Sequence, residues 1–167
     1  PYMLSADATL NGITQNIKFV LLHGKANTSP TTTSYNRRKS GSDTLNFTLN
    51  SMYANEKIVV LGDFNDDLDS TITAGINPRI SSYSAFINDN LNFVTSTLPL
   101  SLAGKKSTVS YNDVIDHTVI SNEMSCYYMA NTANILTDVT TLVSNYGSST
   151  SDHYPVFTRF SFDQAPA

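Results

Sequence analysis

Residues 58–67 read Ile-Val-Val-Leu-Gly-Asp-Phe-Asn-Asp-Asp and are the most informative stretch of the chain. It begins with five apolar or small residues, which predict a buried β-strand. The strand ends in a carboxylate and an amide two positions apart, at Asp63 and Asn65. Because side chains alternate along an extended strand, we expect both to point to one side while Phe64 packs on the other. Oxygen atoms fixed on a rigid element are what a hard cation or a phosphate group requires.

Three other segments combine an apolar run with titratable residues. They cover residues 19–26, 114–121 and 151–156. Any one of them alone is a weak indication of function, but all of them in this order are specific. The titratable residues concerned are His23 in the first segment, Asp116 and His117 in the second, and Asp152 and His153 in the third.

In this order the segments resemble the endonuclease/exonuclease/phosphatase superfamily, which includes deoxyribonuclease I, exonuclease III-type repair enzymes, neutral sphingomyelinases and inositol-phosphate phosphatases. The matching motifs are Gly-Asp-Phe-Asn at 62–65, Ile-Asp-His at 115–117 and Ser-Asp-His at 151–153, with the strand-end His23 before them. The resemblance implies an α/β fold, part of a four-layer sandwich with a mixed β-sheet and flanking helices. It also implies a metal-dependent phosphoester hydrolase that uses water as the nucleophile.

Two motifs of the family should come before the His23 strand. They are an asparagine after the first strand and a metal-binding glutamate at the end of a later one, and residues 1–22 contain no match. The only glutamates are Glu56 and Glu123, neither of which is placed for that role. We therefore expect residues 1–167 to be a single partial domain, the C-terminal portion of the family's domain.

The resemblance implies a role for each motif residue. Asp63 would orient or deprotonate the attacking water, and Asn65 would hold a phosphate oxygen. His153 would act as general acid or base and contact the phosphate, with Asp116 fixing its tautomer. His23 would contact the phosphate and assist the leaving group.

Asp152 would lie near a divalent cation, Mg²⁺ or else Mn²⁺ or Ca²⁺. Without the glutamate we expect this chain to bind the ion weakly. Choice of substrate lies in loops, so DNA, RNA, a lipid head group and a small phosphate ester all stay open.

Structural explanations compete with these roles. Residues 63–67 would also fit a capped turn with Asp66 and Asp67 as exposed acids. His23 has a structural alternative too, and His117 should point away from Asp116 and be structural. The basic pair at 37–38 fits a solvated helix start better than a phosphate contact.

Composition bears on the cellular location of the protein and on the partners it can bind. Charged residues are only 14% of the chain, against roughly 25% in typical globular domains. Ser, Thr and Asn (21, 20 and 17 residues) replace them, which favours an extracellular or periplasmic location. No export signal is present in these residues. The net charge of −4 excludes a broad basic surface for nucleic acid, and the single Cys126 excludes an internal disulfide.

Periodicity and turn residues predict the elements. Asn11-Gly12 predicts a hairpin between runs 2–10 and 13–22. Helices are expected over 35–54 and near 83–88, and β segments around 93–95 and 129–136. Two β runs are expected within 107–120, and residues 156–162 should close the sheet. No run is long and apolar enough to span a membrane.

The sequence supports two alternative hypotheses about function. The first is a phosphoester hydrolase, most simply an extracellular nuclease or phosphodiesterase acting on DNA, RNA or another phosphoester. The second is a non-catalytic remnant that serves as a structural or binding module. In either case the missing sheet would leave an apolar face, which the N-terminal half of the domain or a second copy of the chain should cover.

Overall fold

A computed structural model describes residues 1–162 of the chain. Seven β-strands and six helices alternate along these residues. The strands are β1 Tyr2–Leu10, β2 Ile13–His23, β3 Ile58–Asp63, β4 Phe93–Thr95, β5 Asp116–Ser121, β6 Asn134–Ile135 and β7 Val156–Phe157. The helices are α1 Thr31–Met52, α2 Ser84–Asn88, α3 Leu98–Leu102, α4 Asn122–Ser125, α5 Val139–Leu142 and α6 Tyr146–Ser149.

Five strands form a mixed sheet in the order β1-β2-β3-β5-β4. β1 and β2 are joined by the predicted hairpin, in which Asn11 and Gly12 both have positive φ, 53° and 79°, as a type I′ turn requires. β2 runs parallel to β3 because α1 carries the chain back across the sheet. β3 and β5 are antiparallel, as are β5 and β4.

One face of the sheet is closed by α1 and α2. Leu49 on α1 and Phe86 on α2 belong to a buried cluster with Val20, Val60 and Val119 of the sheet. Burial of these aliphatic and aromatic side chains supplies the hydrophobic stabilisation that orders the strands. We call this surface the helix-covered face.

The opposite face is covered only in part. Tyr127 and Phe162 pack over the β3 and β5 end of this face, against Val59 and Ile120. The cover extends to Ile17 on β2, which is 3% exposed, but stops toward the His23 end of the β1–β2 hairpin. The large side chains exposed there are Tyr2 at 67%, Leu4 at 49% and Leu21 at 48%. We call this surface the open face.

Two predicted elements differ in extent. The long helix begins at Thr31 rather than residue 35, directly after Pro30, whose extended backbone precedes the first helical turn. The polar residues at 31–33 carry no apolar periodicity, so no sequence pattern indicated this turn. In the 129–136 run only β6 is a strand, because Asn131 turns the chain at a φ of 62°.

Two strand predictions were wrong. Residues 156–162 do not close the main sheet, because β7 pairs with β6 in a separate two-stranded sheet. Ile135 is buried in a third cluster with Leu100 and Val114. In 107–120 only β5 is a strand. The Ser107 side chain accepts hydrogen bonds from two backbone amides there, which takes the place of a strand ladder.

Among residues 1–162, no helix is long and apolar enough to cross a membrane.

Candidate active site

The ends of three neighbouring strands bring the predicted residues together. His23 at the end of β2 is paired with Asp63 at the end of β3, and Asp63 is paired with Asp116 at the start of β5. Because partners in register point to the same face, all three side chains emerge on the open face. Leu21 lies two residues before His23, so this edge of the site continues into the exposed apolar surface.

Asp63 and Asn65 make direct contact through both carboxylate oxygens. The Asn65 backbone amide donates to Asp63 Oδ1 at 2.7 Å, and Asn65 Nδ2 donates to Oδ2 at 2.8 Å. Asn65 Nδ2 also donates to the Gly24 carbonyl at 3.2 Å. Strand alternation is the wrong reason for this contact, because β3 ends at Asp63 and Asn65 has a left-handed φ of 52°. A tight turn, rather than the pleat of a strand, faces the two side chains toward each other.

Two glycines permit the close approach of β2 and β3 at this point. Gly62 has a φ of 136°, and a Cβ there would overlap the Leu22 carbonyl of the neighbouring strand. A Cβ on Gly24 would overlap the Phe64 carbonyl. The absence of a side chain at Gly62 therefore serves the contact between the two strands.

The environment of Asp63 favours its neutral form. Burial raises the pKa of this carboxyl, the hydrogen bond from the Asn65 amide opposes the rise, and the charge of Asp116 adds to it. The positive charges of His153 and His23 oppose it further, since both act on Asp63. A carboxylate with a raised pKa is a better proton acceptor than an exposed one.

His153 and Asp116 form an imidazole–carboxylate pair. His153 Nδ1 lies 2.8 Å from Asp116 Oδ2 and 3.0 Å from Oδ1. Because a carboxylate only accepts, Nδ1 carries the hydrogen, which leaves Nε2 to act on a bound group. This is the pairing that the motif order implied.

Ser107 completes this pair, and the sequence analysis missed it. Its Oγ donates to Asp116 Oδ2 at 2.7 Å and accepts from the backbone amides of Ile115 and Asp116. Its carbonyl accepts from the amide of Tyr154, the residue after His153. Ser107 therefore fixes the carboxylate and the histidine segment with respect to each other.

The pKa of His153 is raised. Burial alone would lower it, but the hydrogen bond and charge of Asp116 outweigh burial, and the charges of Asp63 and Asp152 add to the rise. The imidazolium is therefore stabilised near neutral pH, as a general acid or a phosphate contact requires.

His23 and Asp152 lie at the margin of this cluster. His23 Nε2 is 3.5 Å from Asp63 Oδ2, and its side chain is 80% exposed. Asp152 is exposed and acts on His153 by charge, while its carbonyl accepts from the Val109 amide. The metal-binding role of Asp152 stays a prediction.

His117 points to the other side of β5, as expected from alternation. It is 2% exposed, and burial lowers its pKa to about 3. Its ring nitrogens lie 3.0 Å from Thr97 Oγ1 and 3.2 Å from the Asp66 carbonyl. His117 is a neutral histidine of the core.

The expectation of a solvated Arg38 was wrong, and so was the structural alternative in which Asp66 and Asp67 are exposed. Asp66 and Asp67 are 0% and 5% exposed rather than surface acids. Arg38 is 3% exposed rather than solvated, and its Nε lies 3.8 Å from Asp66 Oδ2. Burial raises the pKa of Asp67, whose carboxylate accepts from the Val114 amide.

The predicted cation site can be compared with the side chains that the structure brings together as possible metal ligands. Within residues 1–162, no three His, Cys, Asp or Glu side chains come together so as to hold a metal ion. Both oxygens of Asp63 accept from Asn65, and both oxygens of Asp116 face His153. The described residues do not make a complete magnesium site.

No protein-family model and no curated protein matches the sequence. Solved structures do match its fold. The catalytic domain of human nocturnin with bound sulfate is 18% identical at a TM-score of 0.52, over 94% of this chain and 50% of its own. The 3'-5' exonuclease NExo of Neisseria meningitidis is 20% identical at 0.53, over 95% of this chain and 65% of its own.

Sphingomyelinase C from Streptomyces griseocarneus is 15% identical at a TM-score of 0.50, over 94% of this chain and 56% of its own. The chain thus spans 50% to 65% of the length of these structures. These likenesses confirm the predicted fold class, a mixed sheet with flanking helices.

Proposed function

We propose that this chain, which has the deoxyribonuclease I-like fold of the endonuclease/exonuclease/phosphatase superfamily, carries part of the active site of a phosphoester hydrolase. The observation that supports this most is the meeting of two groups on one sheet edge. Asp63 is held by Asn65, and His153 is held by Asp116 and Ser107. Each pair is electrostatically coupled to the other, since Asp63 and His153 shift each other's pKa.

In this proposal a water molecule is the nucleophile. Asp63 accepts its proton as the water oxygen attacks phosphorus, and the raised pKa of Asp63 suits a proton acceptor. The bond from phosphorus to the leaving oxygen breaks, and that oxygen takes up a proton. In this proposal the His153 imidazolium supplies that proton, and the exposed His23, 3.5 Å from Asp63, contacts the phosphate.

Asn65 is the proposed phosphate contact. Both hydrogens of its side-chain amide donate in this structure, one to Asp63 and one to the Gly24 carbonyl, so its orientation is fixed before substrate binds. In this proposal one of these two hydrogen bonds is exchanged for a bond to a phosphate oxygen when substrate binds.

We further propose that the described residues are the C-terminal portion of the domain. The shorter length relative to the matched structures and the exposed Tyr2, Leu4 and Leu21 support this. The remaining cation ligand would then come from the N-terminal half, and the ion would be Mg²⁺, Mn²⁺ or Ca²⁺. A second copy of the chain is the competing occupant of the open face.

The proposed substrate is a phosphodiester, as in a nuclease or phosphodiesterase. One NExo structure from Neisseria holds a product DNA hairpin, and it aligns with 95% of this chain. The acidic net charge of −4 argues for contacts confined to the cleft rather than a broad nucleic-acid surface. An extracellular or periplasmic setting is proposed from the hydroxyl- and amide-rich composition.

The test is hydrolysis of bis-p-nitrophenyl phosphate and of plasmid DNA by the complete domain. Asp63→Asn and His153→Ala should each lower the rate on the order of a hundredfold or more, the size expected for a positioned acid or base. Asp43→Asn is the matched control, because this acid on α1 is 48% exposed and pairs only with Lys39 in the structure. A complete domain inactive on every phosphoester would support the binding-module function instead.

A further inference from the structure

A buried arginine connects α1 to both loops that follow the site strands. Arg38 Nη1 donates to the Lys25 carbonyl at 2.8 Å, and Nη2 donates to Thr73 Oγ1 at 2.7 Å. Nε faces Ser82 Oγ at 3.4 Å and Asp66 at 3.8 Å. The three nitrogens therefore contact three separate chain segments, in the fork geometry that only a guanidinium provides.

Asp66 is the acceptor of the same network. Its Oδ1 accepts from Thr71 Oγ1 and the Ile72 amide at 2.8 Å each. Its Oδ2 accepts from the Ser82 amide at 3.0 Å and from the Ser82 hydroxyl. Its side chain and that of Arg38 are both 0% exposed. Each charge is thus compensated by hydrogen bonds as well as by its partner.

This network encloses the turn that carries Asn65. Asp66 directly follows Asn65, and Lys25 directly follows Gly24, whose carbonyl accepts from Asn65 Nδ2. Asn65 has a left-handed φ of 52°, a conformation that asparagine adopts more readily than other non-glycine residues. The network therefore holds the chain at Lys25 and at Asp66, on both sides of the Asn65 side-chain amide.

We propose that Arg38 and Asp66 are positioning residues that fix Asn65, and through it Asp63, for phosphoester hydrolysis. Stability alone is a poor reason for the pair, since a buried ion pair is often matched or bettered by apolar residues of similar volume. What an apolar pair cannot do is hold the 24–28 loop and the 65–82 loop at one relative position. The inference rests on the proposed function for its kinetic part and on geometry for the rest.

Three variants separate positioning from packing. Arg38→Lys keeps the charge but has one nitrogen in place of a fork, so it cannot reach Lys25, Thr73 and Ser82 together. Arg38→Met combined with Asp66→Asn removes both charges and leaves no unpaired ion in the core. Arg37→Met is the matched control, because Arg37 is the adjacent, exposed arginine of α1.

The first readout needs no activity. In the ¹⁵N spectrum of this chain, the Asn65 side-chain amide is assigned by its loss in Asn65→Asp. Arg38→Lys and the double variant should shift this resonance and speed its hydrogen exchange at least about tenfold, because both hydrogen bonds of Nδ2 loosen. Arg37→Met should leave it unchanged.

The second readout is kinetic and uses the complete domain. Both network variants should lower kcat on the order of a hundredfold while KM changes little, since misplacement of a catalytic group by about 1 Å costs this much. Arg37→Met should match the unaltered domain.

The two readouts distinguish the possible failures. An unchanged Asn65 resonance in folded Arg38→Lys and in the double variant would overturn the positioning role. Unfolding of both variants would also overturn it, since the pair would then be a stability element. If the unaltered complete domain does not hydrolyse phosphoesters, the proposed function fails, while a shifted Asn65 resonance still supports the positioning of Asn65.

Discussion

The two faces of the five-stranded sheet differ in how much of them the chain covers. On the helix-covered face, Leu49 and Val60 are 1% and 0% exposed. On the open face, Tyr2, Leu4 and Leu21 keep 67%, 49% and 48% of their surface in contact with solvent. The sheet therefore has a fully packed core on its helix-covered face, whereas part of its open face is exposed to solvent.

The candidate active site lies beside the exposed part of the open face. Asp63 and Asp116 emerge on the open face, and their register positions continue those of Leu21 and Leu61. Within this chain, hydrogen bonds from Asn65 hold Asp63, and hydrogen bonds with His153 and Ser107 hold Asp116. The described residues do not bring together a complete set of cation ligands.

The largest expected effect concerns how much each face of the sheet contributes to the free energy of unfolding. Leu49→Ala should lower the free energy of unfolding by about 2–5 kcal/mol, because it opens a cavity in a fully packed cluster. Leu21→Ala should cost well under about 1 kcal/mol, since half of the side chain is already exposed. Urea denaturation of the isolated chain measures both. Equal costs would show that the open face is as well packed as the other.

The next effect concerns association. A triple change of Tyr2, Leu4 and Leu21 to Ser should abolish self-association of the isolated chain in light scattering, because it removes the exposed apolar surface. Phe47→Ser with Met52→Ser is the control, since these α1 side chains are 71% and 70% exposed. A strict monomer before any substitution would contradict the prediction that a second copy covers this face.

A smaller effect concerns the pKa of His153, which pairs with Asp116 at the start of β5. Asp116→Asn should lower the pKa of His153, because the hydrogen bond and charge that outweigh burial are lost. Asp152→Asn should lower it less, since Asp152 acts by charge alone. NMR titration of the imidazole signals measures both shifts. A larger shift from Asp152→Asn would contradict the pairing of His153 with Asp116.

The smallest effect is the pH dependence of stability from Asp63. Its folded pKa is raised above 3.8, so its contribution to stability is fully present below that pH and is lost as pH rises through the folded pKa. The stability of the unaltered chain relative to Asp63→Asn should therefore fall over this acid window and then level off. A relative stability that rises with pH would contradict the burial of Asp63.

Part of the site could be read from the sequence because its residues lie in short motifs. Asp116 pairs with His153 as the resemblance implied, and Asp63 does meet Asn65, although through a tight turn rather than by strand alternation. Ser107 was missed because the residue lies nine positions before Asp116 in a chain with 21 serines, where no serine stands out.

Arg38 did leave an indication in the sequence that went unused. Buried positions of α1 include Tyr35, Arg38, Ser42, Leu45 and Leu49, a stripe at helical spacing that places Arg38 inward and Arg37 outward. The burial of Asp66 could not be read in the same way. Its partners Thr71 and Ser82 lie in an irregular loop, where no periodicity relates residue to partner.

The central claim, that this chain holds one part of a phosphoester hydrolase site, is tested most directly by one comparison. Hydrolysis of bis-p-nitrophenyl phosphate is measured for the isolated 167-residue chain and for the complete domain, each with Mg²⁺ and with chelator. The account predicts slow or undetectable hydrolysis by the isolated chain and chelator-sensitive hydrolysis by the complete domain. Full chelator-sensitive activity in the isolated chain would contradict it, because its cation site would then be complete.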